Sequence, residues 1–198
     1  MSDPRLLRSP DRRSAGDPDL ADVRASQVDR AAFGTLYRRY LDRVYGYAFY
    51  LLGDHHDAED VTERTFVGAL AAIDGFRDEG ASFRSWLFRI AHNQVANHLR
   101  SRGRRPTAPL DDVDEPAASS DPAAAVAAAD EARRLRRALA ALSDDRRQVL
   151  VLRFVDGLSA REIGAVLGRS EGAVRVLQHR ALRELGTLLE GRDPARAV

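Results

Sequence analysis

The chain has 198 residues, 31% of them charged, and its 31 basic and 30 acidic side chains leave a formal net charge of +1. Net charge therefore points to neither nucleic acid nor membrane, and only the distribution of charge along the chain is informative. Cysteine is absent, which excludes disulfides, cysteine-ligated zinc and thiol nucleophiles and fits a reducing compartment. Every basic residue is arginine, a side chain suited to bidentate phosphate and base contacts, although a GC-rich genome produces the same bias.

In chain order, residues 1–25 mix proline, aspartate, arginine, serine and glycine without period and are expected to form a disordered tail. They contain no apolar core of the signal-peptide kind. No stretch approaches the roughly 18 apolar residues of a membrane span, so a soluble cytoplasmic protein is expected. Residues 26–105 carry helical periodicity. Phe33, Leu36, Tyr37, Tyr40, Leu41, Val44, Tyr47, Ala48 and Leu51 recur in steps of three and four up to Gly53.

The next stretch, GDHHDAEDVTERTF, is the densest cluster of ligand-type side chains, with His55, His56, Asp57, Glu59 and Asp60 within six positions. Two pairs, His55 with Glu59 and His56 with Asp60, stand four apart as metal ligands on a helix would. Yet there is no HExxH, no nucleophile constellation and no glycine-rich phosphate loop, so no cofactor or metal is expected. The simpler reading is a helix capped by Asp54 or Asp57, with the acids in its first turn offsetting exposed amides, Asp60 pairing with Arg64, and His55 and His56 in the turn before it.

A third helix is expected over about residues 82–100. The segment SFRSWLFRIAHNQVANHLRSRGRR has Phe83, Trp86 and Phe88 at one end, Asn93, Gln94 and Asn97 in the middle, and no acid; its arginines are Arg84, Arg89, Arg100, Arg102, Arg104 and Arg105. Aromatic platforms, amides for base edges and arginines for the backbone suit single-stranded nucleic acid. Residues 106–122, with four prolines, five acids and no base, read as an extended, self-repelling linker.

Helical pattern resumes near Ala124 and continues to about Glu190, giving an all-α fold class: two small helical domains, 26–105 and 124–190, joined by an acidic linker (106–123) and flanked by tails (1–25 and 191–198). The second half contains DGLSAREIGAVLGRSEGAVRVLQHRALREL. Ser159 with Glu162 forms a capping box, Gly164 is small where helices cross, Gly168 makes a turn, and Ser170 caps a further helix. This is a helix-turn-helix whose second helix should enter a DNA major groove. Val174, Leu177, Ala181, Leu182 and Leu185 are expected inward. Arg175, Val176, Gln178, His179, Arg180 and Arg183 are expected outward, where arginine can bond guanine or phosphate and glutamine adenine. The preceding helix, capped by Ser143, should bury Val149, Leu150, Leu152 and Phe154, with Arg146, Arg147 and Arg153 solvated.

Four stretches in order resemble the bacterial sigma-70 superfamily of RNA polymerase sigma factors, in the extracytoplasmic-function group: LYRRYLDRVYGYAFYLLGD, DAEDVTERTFVGAL, FRSWLFRIAHNQVANHLRSRGRR, and LSDDRRQVLVLRFVDGLSAREIGAVLGRSEGAVRVLQHRAL. The resemblance spans about residues 33–189 and implies a non-catalytic specificity subunit. Asp57, Asp60, Glu63, Arg64 and Val67 would dock on the clamp of the polymerase core, whose flap is a further contact. Trp86, Arg89, Asn93, Asn97, Arg100, Arg104 and Arg105, with the loop 77–83, would capture the non-template strand of the minus-ten element with one base extruded. Arg175, Val176, Gln178, His179, Arg180, Arg183 and Ser170 would read the minus-thirty-five duplex. The linker acids Asp111, Asp112, Asp114 and Glu115 would mimic nucleic-acid charge inside the polymerase. An anti-sigma factor is the implied inhibitor, and can hold such a protein at the membrane. The chain departs from the family pattern at Arg64, Leu70, Ser143 and the run Val176-Leu177-Gln178. The phrase GLSAREIGAVLG also resembles the LuxR-type output domain, which keeps a plain regulator as the rival; an enzyme built on the His/Asp cluster is the remoter one.

Overall fold

A computed structural model describes residues 17–78, 81–101 and 122–190, and among them every regular element is helical. Arg104, Arg105, the linker acids and residues 1–16 and 191–198 of the outer tails lie outside the described residues. The first unit comprises α1 (Leu20–Val28), α2 (Phe33–Leu52), α3 (His55–Ala72) and α4 (Phe83–Ser101). Single 3₁₀ turns, Arg30–Ala32 and Ile73–Gly75, make the corners after α1 and α3.

Helix α2 buries the periodic row Phe33, Leu36, Tyr40, Val44, Tyr47, Ala48 and Leu51 against α3 and α4. It ends where Gly53 takes a left-handed φ of 73° and donates to Phe49 O at 2.8 Å, a conformation that favours glycine. Tyr47, Phe83, Phe88, Leu36 and Leu87 are fully buried at the centre, with Tyr47 and Phe88 edge to face at 5.6 Å, the geometry their ring quadrupoles prefer.

Two expectations at the N-terminal side are corrected. The tail does not extend to residue 25: residues 17–28 are ordered, Val23 reaches the core and Asp19 is only 2% exposed. Two anchors hold this segment, one apolar and one ionic, which composition alone does not reveal. Helix α3 also begins two residues early, at His55, because Asp54 is the residue that caps it, accepting from Asp57 N at 2.9 Å. His55 and His56 are therefore inside the helix, and Glu59 and Asp60 fall in its second turn.

The second unit comprises α5 (Pro122–Ala141), α6 (Asp144–Leu150) running into a π turn at Val151–Val155, α7 (Ala160–Leu167) and α8 (Glu171–Leu189). Ser143 has the extended backbone of a cap but makes no side-chain cap bond. The π turn lets Val151 and Leu152 bury while Phe154 remains 54% exposed, and Leu182 of α8 is likewise exposed at 41%. Both were expected inward. Arg147, expected solvated, is 5% exposed and paired with Asp144 at 2.7 Å.

The two units are packed together. One apolar cluster runs from Tyr47, Phe83 and Phe88 of the first unit to Leu152, Leu158, Ile163 and Val166 of the second. At its edge Glu162 of α7 accepts two bonds from Arg84 Nη2 at 2.8 Å and one from Ser82 Oγ at 2.9 Å. Burial opposes ionisation of Glu162, but the bonds from Arg84 and Ser159 prevail and keep its pKa below the usual carboxylate value.

Candidate nucleic-acid interface

Helix α4 is two-faced. Phe83, Leu87, Phe88, Ala91 and Val95 are buried, whereas Arg89, Asn93, Asn97 and Arg100 form an exposed row at helical spacing. Asn97 Oδ1 accepts from Arg100 Nη2 at 2.5 Å, and Arg100 Nε donates to Ala96 O at 3.2 Å. Trp86 is half-buried at the end of this row, edge to face with Phe76 at 5.4 Å and tilted on Phe83 at 5.6 Å. The row thus joins an aromatic platform, two amides and two guanidinium groups, with no carboxylate on the helix. Arg84, one turn earlier, is turned away into the contact with Glu162.

The start of α4 is set by groups no local pattern announced. Asp17 accepts from Phe83 N, capping the helix from the far end of the unit. Ser82 Oγ accepts from Ser85 N at 3.2 Å. Asp19 accepts from Tyr40 OH and from Arg39, so residues 17–19 are tied to α2 as well. The Asp-Pro-Asp sequence was the available signal, since an aspartate before a helix is a common cap; here it caps a distant one.

The helix-turn-helix is built as its sequence predicts. Ser159 Oγ accepts from Glu162 N at 3.2 Å while Glu162 accepts from Ser159 N at 2.8 Å, completing the capping box. Gly168, with φ 65°, ends α7. A Cβ on Gly164 would lie 2.5 Å from the backbone oxygen of Arg169, so only glycine admits the turn this close. Ser170 Oγ accepts from Ala173 N at 3.2 Å and starts α8. Val174 and Ala181 anchor α8 inward. Arg175, Val176, His179, Arg180 and Arg183 are exposed, and Gln178 is half-buried among them. Arg175 rests on Glu171 at 2.5 Å, an exposed pair that a stronger acceptor can displace.

The His/Asp cluster divides among three tasks. Asp57 is 3% exposed, with Oδ2 3.3 Å from Nε2 of buried His98, and so braces α3 to α4. That corrects its expected place on an outer docking face: burial leaves it unreachable. His55 stacks on Phe49 at 4.4 Å and its Nδ1 meets Tyr45 OH. The outer face keeps Glu63, Arg64 and Val67 exposed and Asp60 half-exposed, with Arg64 and Asp60 3.3 Å apart.

The sequence matches the family Sigma-70 region 2 over residues 36–105 and the family Sigma-70, region 4 over residues 132–185. It is 38% identical over 184 residues to the ECF RNA polymerase sigma factor BldN of Streptomyces coelicolor, a match covering 90% of this chain and 70% of that protein. Among solved structures it is similar to CnrH in complex with the cytosolic domain of CnrY, with a TM-score of 0.67 and 31% identity over 90% of this chain and 100% of that one. It is also similar to the sigma factor RpoE in complex with the anti-sigma factor NepR from Bartonella quintana, with a TM-score of 0.67 and 25% identity over 80% and 96%.

Proposed function

The chain belongs to the extracytoplasmic-function RNA polymerase sigma factors, which confer specificity without catalysis, and on that premise we propose that it directs initiation by reading two promoter elements with two different helices. In this reading α4 holds the unpaired non-template strand of the minus-ten element. Bases stack at Trp86, Asn93 and Asn97 bond exposed base edges, and Arg89 and Arg100 hold phosphates, each stacked base contributing about 1–3 kcal/mol. Extruding a base costs a few kcal/mol, so capture at α4 is what makes melting favourable. Helix α8 reads the minus-thirty-five duplex with Arg175, Val176, Gln178, His179, Arg180 and Arg183, while Ser170 holds its N-terminus. The outer face of α3, Asp60, Glu63, Arg64 and Val67, docks on the clamp of core polymerase, with the second unit against the flap.

The carrying observation is the exposed, acid-free row of α4 beside an aromatic platform, in the same chain as a fully capped helix-turn-helix. A duplex-reading regulator needs only the latter.

Scale sets a further requirement. Elements centred 25 base pairs apart lie roughly 85 Å from each other at about 3.4 Å per step, whereas here the two units share one core. Reading both elements at once therefore requires the units to part. The 20 residues 102–121 between the two described units have a maximum reach of roughly 70 Å at about 3.3–3.6 Å each, enough to bridge the gap between two separated units. The tether then couples two weak contacts through effective concentration.

The closed arrangement is also what an anti-sigma factor would find. Both named solved relatives are complexes, one of them with an anti-sigma factor, and such a partner for this chain in the cytoplasm is part of the proposal. The test is in vitro transcription with purified core polymerase over genomic fragments. Run-off products sharing two spaced elements are expected; a chain that neither binds core nor initiates refutes the reading.

A further inference from the structure

Glu162 serves two structures at once. Its Oε2 accepts from Ser159 N and from Ser159 Oγ, each at 2.8 Å, which closes the capping box of α7. Across the seam between the units, Oε1 accepts from Ser82 Oγ at 2.9 Å, and Arg84 Nη2 donates to both oxygens at 2.8 Å. Arg84 and Glu162 are 27% and 19% exposed, so this clasp is largely shielded from water, where charge-assisted bonds are stronger than on an open surface.

The rest of the seam mixes apolar gain with a polar cost. Tyr50 of α2 packs on the cluster of Leu139, Leu142, Leu150 and Ala181 in the second unit, and Val155 lies against Gly46. Asp156, however, is buried with neither carboxylate oxygen hydrogen-bonded among the described residues, in electrostatic reach of Tyr47, Arg43 and Arg84. Burying an unpaired polar group is unfavourable, and here it offsets part of the apolar gain. The clasp therefore weighs more in holding the seam shut than it would in a wholly apolar interface.

Neither reading surface lies inside the seam. Arg89, Asn93, Asn97 and Arg100 of α4 and Arg175, Val176, His179, Arg180 and Arg183 of α8 stay exposed. What the closed form fixes is their separation. Resting on the two-element reading above, we propose that the packed arrangement is a self-inhibited form of the free chain, latched by Glu162 against Arg84 and Ser82, in which each helix binds its own DNA but the two cannot be used together. The latch lies within one chain and needs no second protein. It also releases without undoing the helix-turn-helix, because the bonds from Ser159 to Glu162 remain when Arg84 lets go.

The test uses the full chain, core polymerase and a promoter located with the wild type. The open fraction is read by single-molecule energy transfer between dyes on cysteines introduced one in each unit. Glu162→Gln keeps a capping-box residue but sets an amide against the Arg84 guanidinium; Arg84→Met removes the other partner, from the other unit. Each should raise the open fraction roughly 10-fold, the scale of one charge-assisted bond, and raise apparent affinity for core by a similar factor, since affinity falls with the competent fraction. Binding of minus-thirty-five duplex and of single-stranded minus-ten oligonucleotide should stay at wild type in both. The double variant should open no further than either single one, because both remove the same contact. In the opposite direction, the chain has no cysteine of its own, and a Cβ on Gly46 would lie 3.9 Å from Val155 Cγ1, within reach of a disulfide. Gly46→Cys combined with Val155→Cys, once oxidised, should bind each DNA separately yet initiate only after reduction.

A wild-type chain already open in solution would overturn the latch. So would single variants no more open than wild type, or an oxidised cross-linked chain that initiates as well as the reduced one. Should Glu162→Gln lose duplex binding, its cap has failed and Arg84→Met alone decides. A reduced chain that binds core and initiates nowhere would overturn the two-element reading instead, a result distinct from the others.

Discussion

Helices α4 and α8 present similar chemistry, arginines with amides among them, yet reach their positions by opposite means. The turn that sets α8 is built within some thirty residues: the Ser159–Glu162 box, the left-handed Gly168, the crowded Gly164 and the Ser170 cap, with Arg146 of α6 paired to Glu184 as a further brace. Helix α4 is capped by Asp17, 66 positions away, and flanked by backbone that Gln27 holds from 46 and 49 positions away. A duplex reader needs a rigid helix at a fixed angle, which a local module supplies. A site that extrudes a base needs several segments at one place, which only a folded domain supplies. The difference also predicts which site tolerates being moved to another protein: the helix-turn-helix does, and the α4 row does not.

The largest effect expected from perturbing this contrast is at the seam between the two units. Asp156 is 2% exposed, neither carboxylate oxygen has a hydrogen-bond partner among the described residues, and burial pushes its pKa from 3.8 up to about 8 against the pull of Arg43 and Arg84. Tyr47 of α2 lies close enough for its own pKa to be raised by burial and by Asp156. A carboxyl that holds its proton when packed and loses it when exposed favours packing at low pH. That contribution is fully present below about pH 4 and is lost as pH rises to about 8, by up to about 1.4 kcal/mol per unit. Small-angle scattering between pH 5 and 9 should show expansion as pH rises. Asp156→Asn should flatten the curve; a curve unchanged by that substitution would assign the pH effect elsewhere.

Next in size, Gly164→Ala forces a methyl against backbone at 2.5 Å and should destabilise the second unit by about 2–3 kcal/mol, read from denaturant unfolding. Binding of single-stranded minus-ten DNA through α4 should survive it. Loss of both together would show that the units do not act separately.

Arg175→Ala should weaken minus-thirty-five duplex binding by about 1–3 kcal/mol while affinity for core holds. Equal loss of both would make α8 a structural helix only. The smallest effect is expected at α3, where Arg64→Ala removes an exposed pair with Asp60 that contributes about 0.2–0.5 kcal/mol. Melting should barely move, so any large loss of core affinity in this variant reports docking itself.

Legibility in the sequence followed the range of the interaction. The helices, the acid-free α4 face and every cap of the helix-turn-helix were visible, because helical period and capping depend on neighbours three or four residues apart. Asp57, Arg147, Phe154 and Leu182 were misplaced for one reason. Whether a helix side is buried depends on what packs on it, and the π turn at Val151–Val155 rotates the side chains after it out of register.

By itself the sequence determined an all-helical chain, its helix-turn-helix and the surfaces on which arginines and amides gather, since these follow from local propensity and spacing. Only the tertiary structure decided that residues 17–30 belong to the first unit, that Asp17 starts α4, that Asp57 braces the interior, and that Arg84 and Glu162 clasp the two units together. Each of these joins groups far apart in the chain, and no spacing rule reaches that far: they exist only once the apolar faces have collapsed and brought their bearers into contact.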